Sequence, residues 1–263
     1  MGGKMSRVMP GVYVGGLSSV KSKEQMAENG ITHICTVLVQ SVEDGGRKHI
    51  SFYVNDSPEE KISRYFEEAC TFIHEARVSG GRVLIHCACG VSRSVTVTLA
   101  YLLVITDFSL ADLFKAVLGA RHCACPNSGF MQQLIDFENR KENLELRKKL
   151  EARFGQWPTE KREADAQEIK SHIATQEYFI LHGVYPDETP LDDNTSKTFS
   201  PHAVKEDSEL EKPKPLSSKY FTVTFHGQPR TLSDFLINRP PAPTEEETPR
   251  SQDENGDSKT GSS

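Results

Sequence analysis

The chain has 263 residues, 31 Lys and Arg against 37 Asp and Glu for a net charge of −6, and 37% hydrophobic residues. That length holds one ordinary domain plus further sequence, and the acidic balance argues against a nucleic-acid-binding role. Six cysteines, with no secretory signal pattern and no apolar run long enough to span a bilayer, point to a reducing compartment rather than a disulfide framework.

At the N-terminus, Met1-Gly2-Gly3-Lys4-Met5-Ser6 fits the pattern in which the methionine is removed and Gly2 is myristoylated. One myristoyl chain gives only reversible membrane binding, with K of about 10⁴ M⁻¹, and Lys4 and Arg7 are too few to act as a strong basic second signal. The expectation is a cytoplasmic protein with a fraction at the inner face of the plasma membrane. Strands are predicted near residues 11–15, 31–38, 49–54 and 82–86, and helices near 21–29, 60–79, 94–106, 109–120 and 128–154. In the second helix Ile62, Tyr65, Phe66, Ala69, Ile73 and Ala76 share one face at helical spacing. Strands alternating with helices predict an α/β fold, a central, mostly parallel, twisted sheet flanked by helices with chemistry at the carboxyl ends of the strands.

Charge and proline divide the chain. Residues 1–157 hold 19 basic against 17 acidic side chains, residues 158–263 hold 12 against 20, and eleven of the 14 prolines fall in the second part. The expected organisation is an N-terminal acylated segment (1–8), a catalytic domain (9–157), a partly ordered extension (158–239) and a disordered acidic tail (240–263). Within the extension, Ala164–Val184 is compatible with an amphipathic helix packed on the domain through Ile169, Ile173, Tyr178 and Ile180. Lys219–Leu236 alternates apolar and polar residues and reads either as a strand or docking segment for a partner or as plain disordered tail.

Residues 86–94, His-Cys-Ala-Cys-Gly-Val-Ser-Arg-Ser, lie between the β-branched run Arg82–Ile85 and the apolar, proline-free run Ser94–Thr106. A strand–loop–helix unit aims free backbone N–H groups and the positive helix end at the centre of the loop, where a thiolate or a phosphate dianion is stabilised. Cys87 is the candidate nucleophile, its pKa lowered from about 8.5 toward 3.5–7.5 by helix N-terminus, loop amides and the Arg93 guanidinium. Arg93 supplies a planar fork for two phosphate oxygens, which lysine cannot match. Gly90 permits close backbone approach, His86 braces the loop from behind, and Ser94 donates to the sulfur when it leaves as thiolate. The remaining loop positions, Ala88, Cys89, Val91 and Ser92, line the anion without adding charge.

Displacing an alkoxide or phenolate from phosphorus also needs a proton donor. Asp56, in Asn55-Asp56-Ser57-Pro58 directly after a predicted strand, is the candidate, on a proline-stiffened loop about thirty residues before Cys87. By itself it reads better as a turn or cap residue, and Glu43 and Asp44 compete weakly.

His-Cys-x-x-Gly-x-x-Arg-Ser resembles the signature of the cysteine-dependent protein tyrosine phosphatase superfamily. Met9–Leu17, Gly30–Val37 and Pro126-Asn127-Ser128-Gly129-Phe130 with Gln133-Leu134 narrow the resemblance to the small dual-specificity phosphatases, over about residues 5–157. The N-terminus, Thr71–Arg77, Val95–Phe108 and Glu151–Gly155 are similar to the N-myristoylated atypical group that includes the JNK-stimulatory phosphatase. The resemblance implies a general acid/base role for Asp56, a loop-steadying role for Asn127 beside N-capping, phosphoprotein substrates in MAPK- or JNK-type kinase signalling, and no cofactor. The chain departs from the group at Cys89, Cys123 and Cys125.

His-Cys-Ala-Cys occurs at 86–89 and again at 122–125, which raises a zinc site. Cys-x-Cys is tighter than ordinary zinc ligand spacing, and a metal would abolish the anion loop, so no metal is expected. A redox role in which Cys89 resolves an oxidised Cys87 is the better use of these thiols. The uncharged loop favours phosphoproteins over polyphosphorylated lipids. The expected activity is a dual-specificity protein phosphatase working through a phosphocysteine, against the alternatives of a weakly active phosphate-binding adaptor or a lipid phosphatase.

Overall fold

A computed structural model describes residues 3–40, 42 and 45–186, together with the backbone of 222–225 and 228–231. Gly2, Glu43, Asp44 and the acidic tail 240–263 lie outside the described residues, as does most of the 158–239 extension after residue 186.

Five strands form the sheet: β1 (Ser6–Met9), β2 (Val12–Gly15), β3 (His33–Val37), β4 (Lys48–Phe52) and β5 (Val83–His86). Their order is β1-β2-β5-β3-β4, with β1 antiparallel to β2 and the other neighbours parallel. β5 is therefore central, flanked by β2 and β3, and the crossovers separate at its carboxyl end, where an open α/β sheet places its ligand crevice. Period-two alternation fills both faces. Val12, Val14, Cys35, Val37, Val83 and Ile85 join the large core, while Tyr13, Ile34 and Leu84 join a smaller one with Met26 and Ile31.

The smaller face is covered by α1 (Leu17–Lys21), which was not foreseen, and α2 (Lys23–Glu28), which answers to the helix expected near 21–29. The break falls at Ser22, whose Oγ accepts from the Gln25 N–H and caps α2. On the large face a 3₁₀ turn at Ile62–Tyr65 leads into α3 (Phe66–Val78), followed by α4 (Arg93–Ile105), α5 (Leu110–Ala120), α6 (Ser128–Asn139) and α7 (Glu142–Phe154). Of the stripe read from the sequence, Ile62, Phe66, Ala69, Ile73 and Ala76 are buried. The helix expected over 128–154 is two, because the chain turns at Lys141, which takes φ 58°. β1 was not foreseen: four residues before the Pro10-Gly11 turn carry too little pattern to identify an edge strand.

α8 (Thr159–His182) lies along α5, so close that a Cβ on Gly119 would overlap the His172 carbonyl oxygen. Ile169 is buried as expected and Ile173 packs against the core, but Tyr178 and Ile180 are 41% and 60% exposed and do not serve the packing. The sequence reading overestimated that face because the last turns of α8 run past the end of α5. At the start of α8, Asp165 accepts from Arg77 at 2.6 Å and from the Trp157 indole N–H at 3.0 Å. Arg77 also donates to Tyr101 and to the Pro10 carbonyl. In the segment with alternating pattern, β6 (Thr222–Phe225) pairs antiparallel with β7 (Gln228–Thr231), so the strand finds its partner within this chain.

The Arg77–Asp165 pair is 2% and 4% exposed at its side chains, where removing one partner strands an uncompensated charge. Asp165→Ala is expected to destabilise the protein by about 3–5 kcal/mol in urea titration; a loss below about 1 kcal/mol would mean that α8 contributes little to the fold.

Candidate active site

β5 ends at His86, and α4 begins at Arg93, leaving residues 87–92 as a loop wrapped around the Cys87 sulfur. Cys87 is buried. In a trans peptide the C=O and N–H point in opposite directions, so a loop that turns its amides inward must hold its carbonyls outward. Each outward carbonyl here has a donor. The Cys87 carbonyl lies 3.3 Å from His86 Nδ1, the Ala88 carbonyl accepts from the Leu17 N–H at 2.9 Å, and the Val91 carbonyl accepts from the Cys125 N–H at 2.8 Å. Arg121 takes the two between them, donating from Nε to Gly90 O at 2.5 Å and from Nη2 to Cys89 O at 3.1 Å. The Ser92 carbonyl accepts from the N–H and the hydroxyl of Thr96 and so enters the helical ladder.

The inward side shows the result. Gly90 N–H and the Ser94 hydroxyl lie 3.2 and 3.3 Å from Cys87 Sγ. Burial opposes the thiolate, yet the Ser94 hydroxyl and the amides of Ser94, Gly90 and Val91 outweigh it and hold the thiol below its ordinary value. Gly90 takes φ +69°, and a Cβ there would lie 2.5 Å from the Gly15 backbone and from Arg121 Nη2, so no side chain fits.

His86 is fully buried, and burial first, then His49, drive its pKa down to about 4 against the Cys87 carbonyl. A neutral ring has one donor and one acceptor, and its neighbours assign them. Nδ1–H faces the Cys87 carbonyl, so Nε2 accepts from the Thr36 hydroxyl at 2.7 Å, and Thr36 Oγ1 in turn accepts from His49 Nε2 at 2.7 Å. The expected brace from behind is thus a three-residue relay across β3, β4 and β5.

Asp56 closes the site from the side. Its Oδ1 accepts from Ser92 Oγ at 2.6 Å and Asn127 Nδ2 at 2.9 Å, while Oδ2 lies 3.5 Å from Arg93 Nε. Arg93 donates from Nη1 to the Val54 carbonyl at 3.1 Å, and among the described residues its Nε has no hydrogen-bond partner. The guanidinium thus turns toward Asp56 and Val54, and the bonds that hold the thiol down come from Ser94 and the loop amides. Asn127 uses three groups: Oδ1 caps α6 through Phe130 N–H, Nδ2 reaches Asp56, and its backbone N–H donates to Ser92 Oγ. Its loop contact is made by the main chain, while its side chain goes to the acid. At Gly129 the loop carrying Asp56 packs so tightly that a Cβ would overlap the Pro58 carbonyl.

The structure brings Cys87, Arg93, Ser94, Asp56, Asn127 and Ser92 into one site, with His86 behind. Ala88, Cys89 and Val91 complete the loop, and Cys89 is exposed. Two features escaped the sequence reading. Ser92, taken only as a neutral loop position, is the bridge between loop and acid. Arg121 was not singled out at all; its only sequence mark is a basic residue between a helix end and the second His-Cys-Ala-Cys run. The six cysteines are free, and among the described residues no group of three or more His, Cys, Asp or Glu is arranged to hold a metal.

Residues 12–140 match the catalytic domain of the dual specificity phosphatases. The chain is 38% identical over 180 residues to human dual specificity protein phosphatase 22, covering 66% of this chain and 92% of that protein. It is 37% identical over 164 residues to Rattus norvegicus dual specificity protein phosphatase 15, covering 60% and 67%. Among solved structures, the crystal structure of DUSP15 superposes with a TM-score of 0.56 at 36% identity, covering 59% of this chain and 99% of that one.

Removing the Ser94 hydroxyl takes away a bond that favours the charged sulfur. Ser94→Ala is therefore expected to raise the Cys87 pKa. The pH at which Cys87 becomes alkylable by iodoacetamide then moves upward; an unmoved midpoint would show that the amides alone set it.

Proposed function

The chain belongs to the small atypical dual specificity protein phosphatases, and from that we propose a reaction in which phosphate passes from a phosphoprotein side chain to Cys87 and then to water. The Cys87 thiolate attacks phosphorus in line, while the loop amides and the Arg93 guanidinium hold the equatorial oxygens through the transition state. Asp56 protonates the leaving oxygen. In the second half-reaction Asp56 takes a proton from the attacking water, and the Ser94 hydroxyl stabilises the departing thiolate.

The observation that carries this reading is the Cys87 sulfur ringed by the Ser94 hydroxyl and inward amides, with a buried arginine and a carboxylate on its rim. Two donors on Asp56 Oδ1 fix the carboxyl plane and leave Oδ2 to carry the transferable proton. Oδ2 also faces Arg93 Nε, so a phosphate that engages the guanidinium draws away the charge that favours the ionised acid. The uncharged side chains at Ala88, Cys89, Val91 and Ser92 favour phosphoproteins over lipids with several phosphates.

We place the substrates among components of MAPK- or JNK-type kinase pathways, with both phosphotyrosine and phosphothreonine accepted. The Gly2 acylation pattern supports a cytoplasmic protein held reversibly, in part, at the inner face of the plasma membrane.

Phosphate release from phosphotyrosine and phosphothreonine peptides in EDTA tests the reaction. Cys87→Ser is expected to abolish it, and Asp56→Ala to reduce kcat by about 10²-fold or more. Peptide binding without turnover in the unaltered protein would instead assign an adaptor, and release confined to phosphoinositides a lipid phosphatase. The membrane assignment has its own readout: Gly2→Ala should move the protein to the soluble fraction, and unchanged partition would remove it.

A further inference from the structure

Arg121 directly follows α5 and is 4% exposed, a buried guanidinium with no carboxylate hydrogen-bonded to it among the described residues. Its donors go to carbonyls and one hydroxyl. Nε reaches Gly90 O and Nη2 reaches Cys89 O, while Nη1 reaches Lys4 O at 3.1 Å and Ser6 Oγ at 3.4 Å. A desolvated cation spent on main-chain oxygens needs an explanation beyond charge pairing.

Peptide geometry supplies one. The Cys89 carbonyl shares its plane with the Gly90 N–H, and the Gly90 carbonyl with the Val91 N–H. These are two of the amides that point at the Cys87 sulfur. The planes meet at Gly90, at φ +69° and without a Cβ, where rotation of a peptide is least hindered. Elsewhere in the loop the outward carbonyls are held by main-chain N–H groups, by His86 or, at Ser92, by the N–H and hydroxyl of Thr96. Only here does a single side chain pin two successive planes, and the planar fork of arginine suits two oxygens at once.

We propose that Arg121 is a positioning residue for the phosphatase reaction: its guanidinium locks the 89–90 and 90–91 peptides with their N–H groups turned onto the Cys87 sulfur and the phosphate oxygens. Nη1, bound to Lys4 and Ser6, anchors the fork from the far side, so β1 and the segment before it form part of the support of the loop. Arg121 does not touch the substrate and acts through the two amides. The inference rests on Cys87 as the nucleophile.

The test compares the unaltered protein with Arg121→Lys and Arg121→Ala, the latter with and without added guanidinium. Site-resolved mass spectrometry follows iodoacetamide alkylation of Cys87 against pH, and kcat and melting temperature are measured in parallel. Lysine keeps the charge and has donors to spare, but all on one compact nitrogen, without the planar fork that meets two oxygens held apart. Arg121→Lys is therefore expected to raise the pH midpoint of Cys87 alkylation by about half a unit to one unit and to lower kcat about tenfold. Arg121→Ala should show larger changes in the same direction, partly reversed by guanidinium. An Arg121→Lys protein with midpoint and kcat unchanged overturns the proposal, whatever its melting temperature. Variants that fail to fold, with or without guanidinium, overturn it too, since Arg121 is then a residue of the fold alone. If Cys87→Ser retains activity, the nucleophile assignment has failed, which is visible before any Arg121 variant is made.

Discussion

The site depends on one constraint: the N–H groups of Gly90, Val91 and Ser94 must all be turned toward the Cys87 sulfur. Nothing within the loop can enforce that, because amides crowded together repel one another and their carbonyls, if left buried and unpaired, cost about 1–3 kcal/mol each. Stability therefore comes from outside. Leu17 at the start of α1, Cys125 before α6, His86 on β5 and Arg121 after α5 each supply donors to the outer rim. The loop is a six-residue element whose shape is set by four other parts of the chain.

That arrangement explains why the fold is built around β5 and α4. β5 is the central strand, hydrogen-bonded on both sides, and α4 is buried along almost its whole length. Both ends of the loop are thereby rigid, and the neighbours that tether its carbonyls are packed against the same two elements. α8 extends this logic to the region after residue 157. Through Ile169 and the Arg77–Asp165 pair it closes the large core over α3, α4 and α5, and the Arg7–Glu168 ion pair ties it to β1.

A network of shared donors joins the acid to the loop. Ser92 and Asn127 both reach Asp56 Oδ1, Asn127 also donates to Ser92, and Arg93 faces the other carboxylate oxygen. Loop, acid and the start of α6 are thus coupled through one carboxyl group, so the position of Asp56 reports on the charge state of the site. His86, kept neutral by burial, contributes orientation and no charge, which leaves Arg93 and Arg121 as the cations beside the loop and spares the thiolate a competing proton source.

The elements and the residues gathered at the site were legible in the sequence because they are local. Near-continuous apolar and β-branched runs at Val12–Val14, Ile34–Val37 and Val83–Ile85 mark strands buried on two faces, and the spacing of His86, Cys87, Gly90, Arg93 and Ser94 describes one strand–loop–helix unit. Asp56 was visible as a carboxylate on a turn, and the resemblance to a family pointed to its role. Breaks at Ser22 and Lys141 were not legible, since apolar spacing continues across them while capping and a left-handed residue interrupt the helix. Nor were the partners of the loop: Arg121 lies 31 residues from Gly90 along the chain and Leu17 lies 71 residues from Ala88. Sequence by itself determined which chemically capable side chains the site holds, because that follows residue type and short-range spacing. Only the tertiary structure decided how the loop amides are aimed, because that depends on carbonyl partners brought together by packing from distant segments.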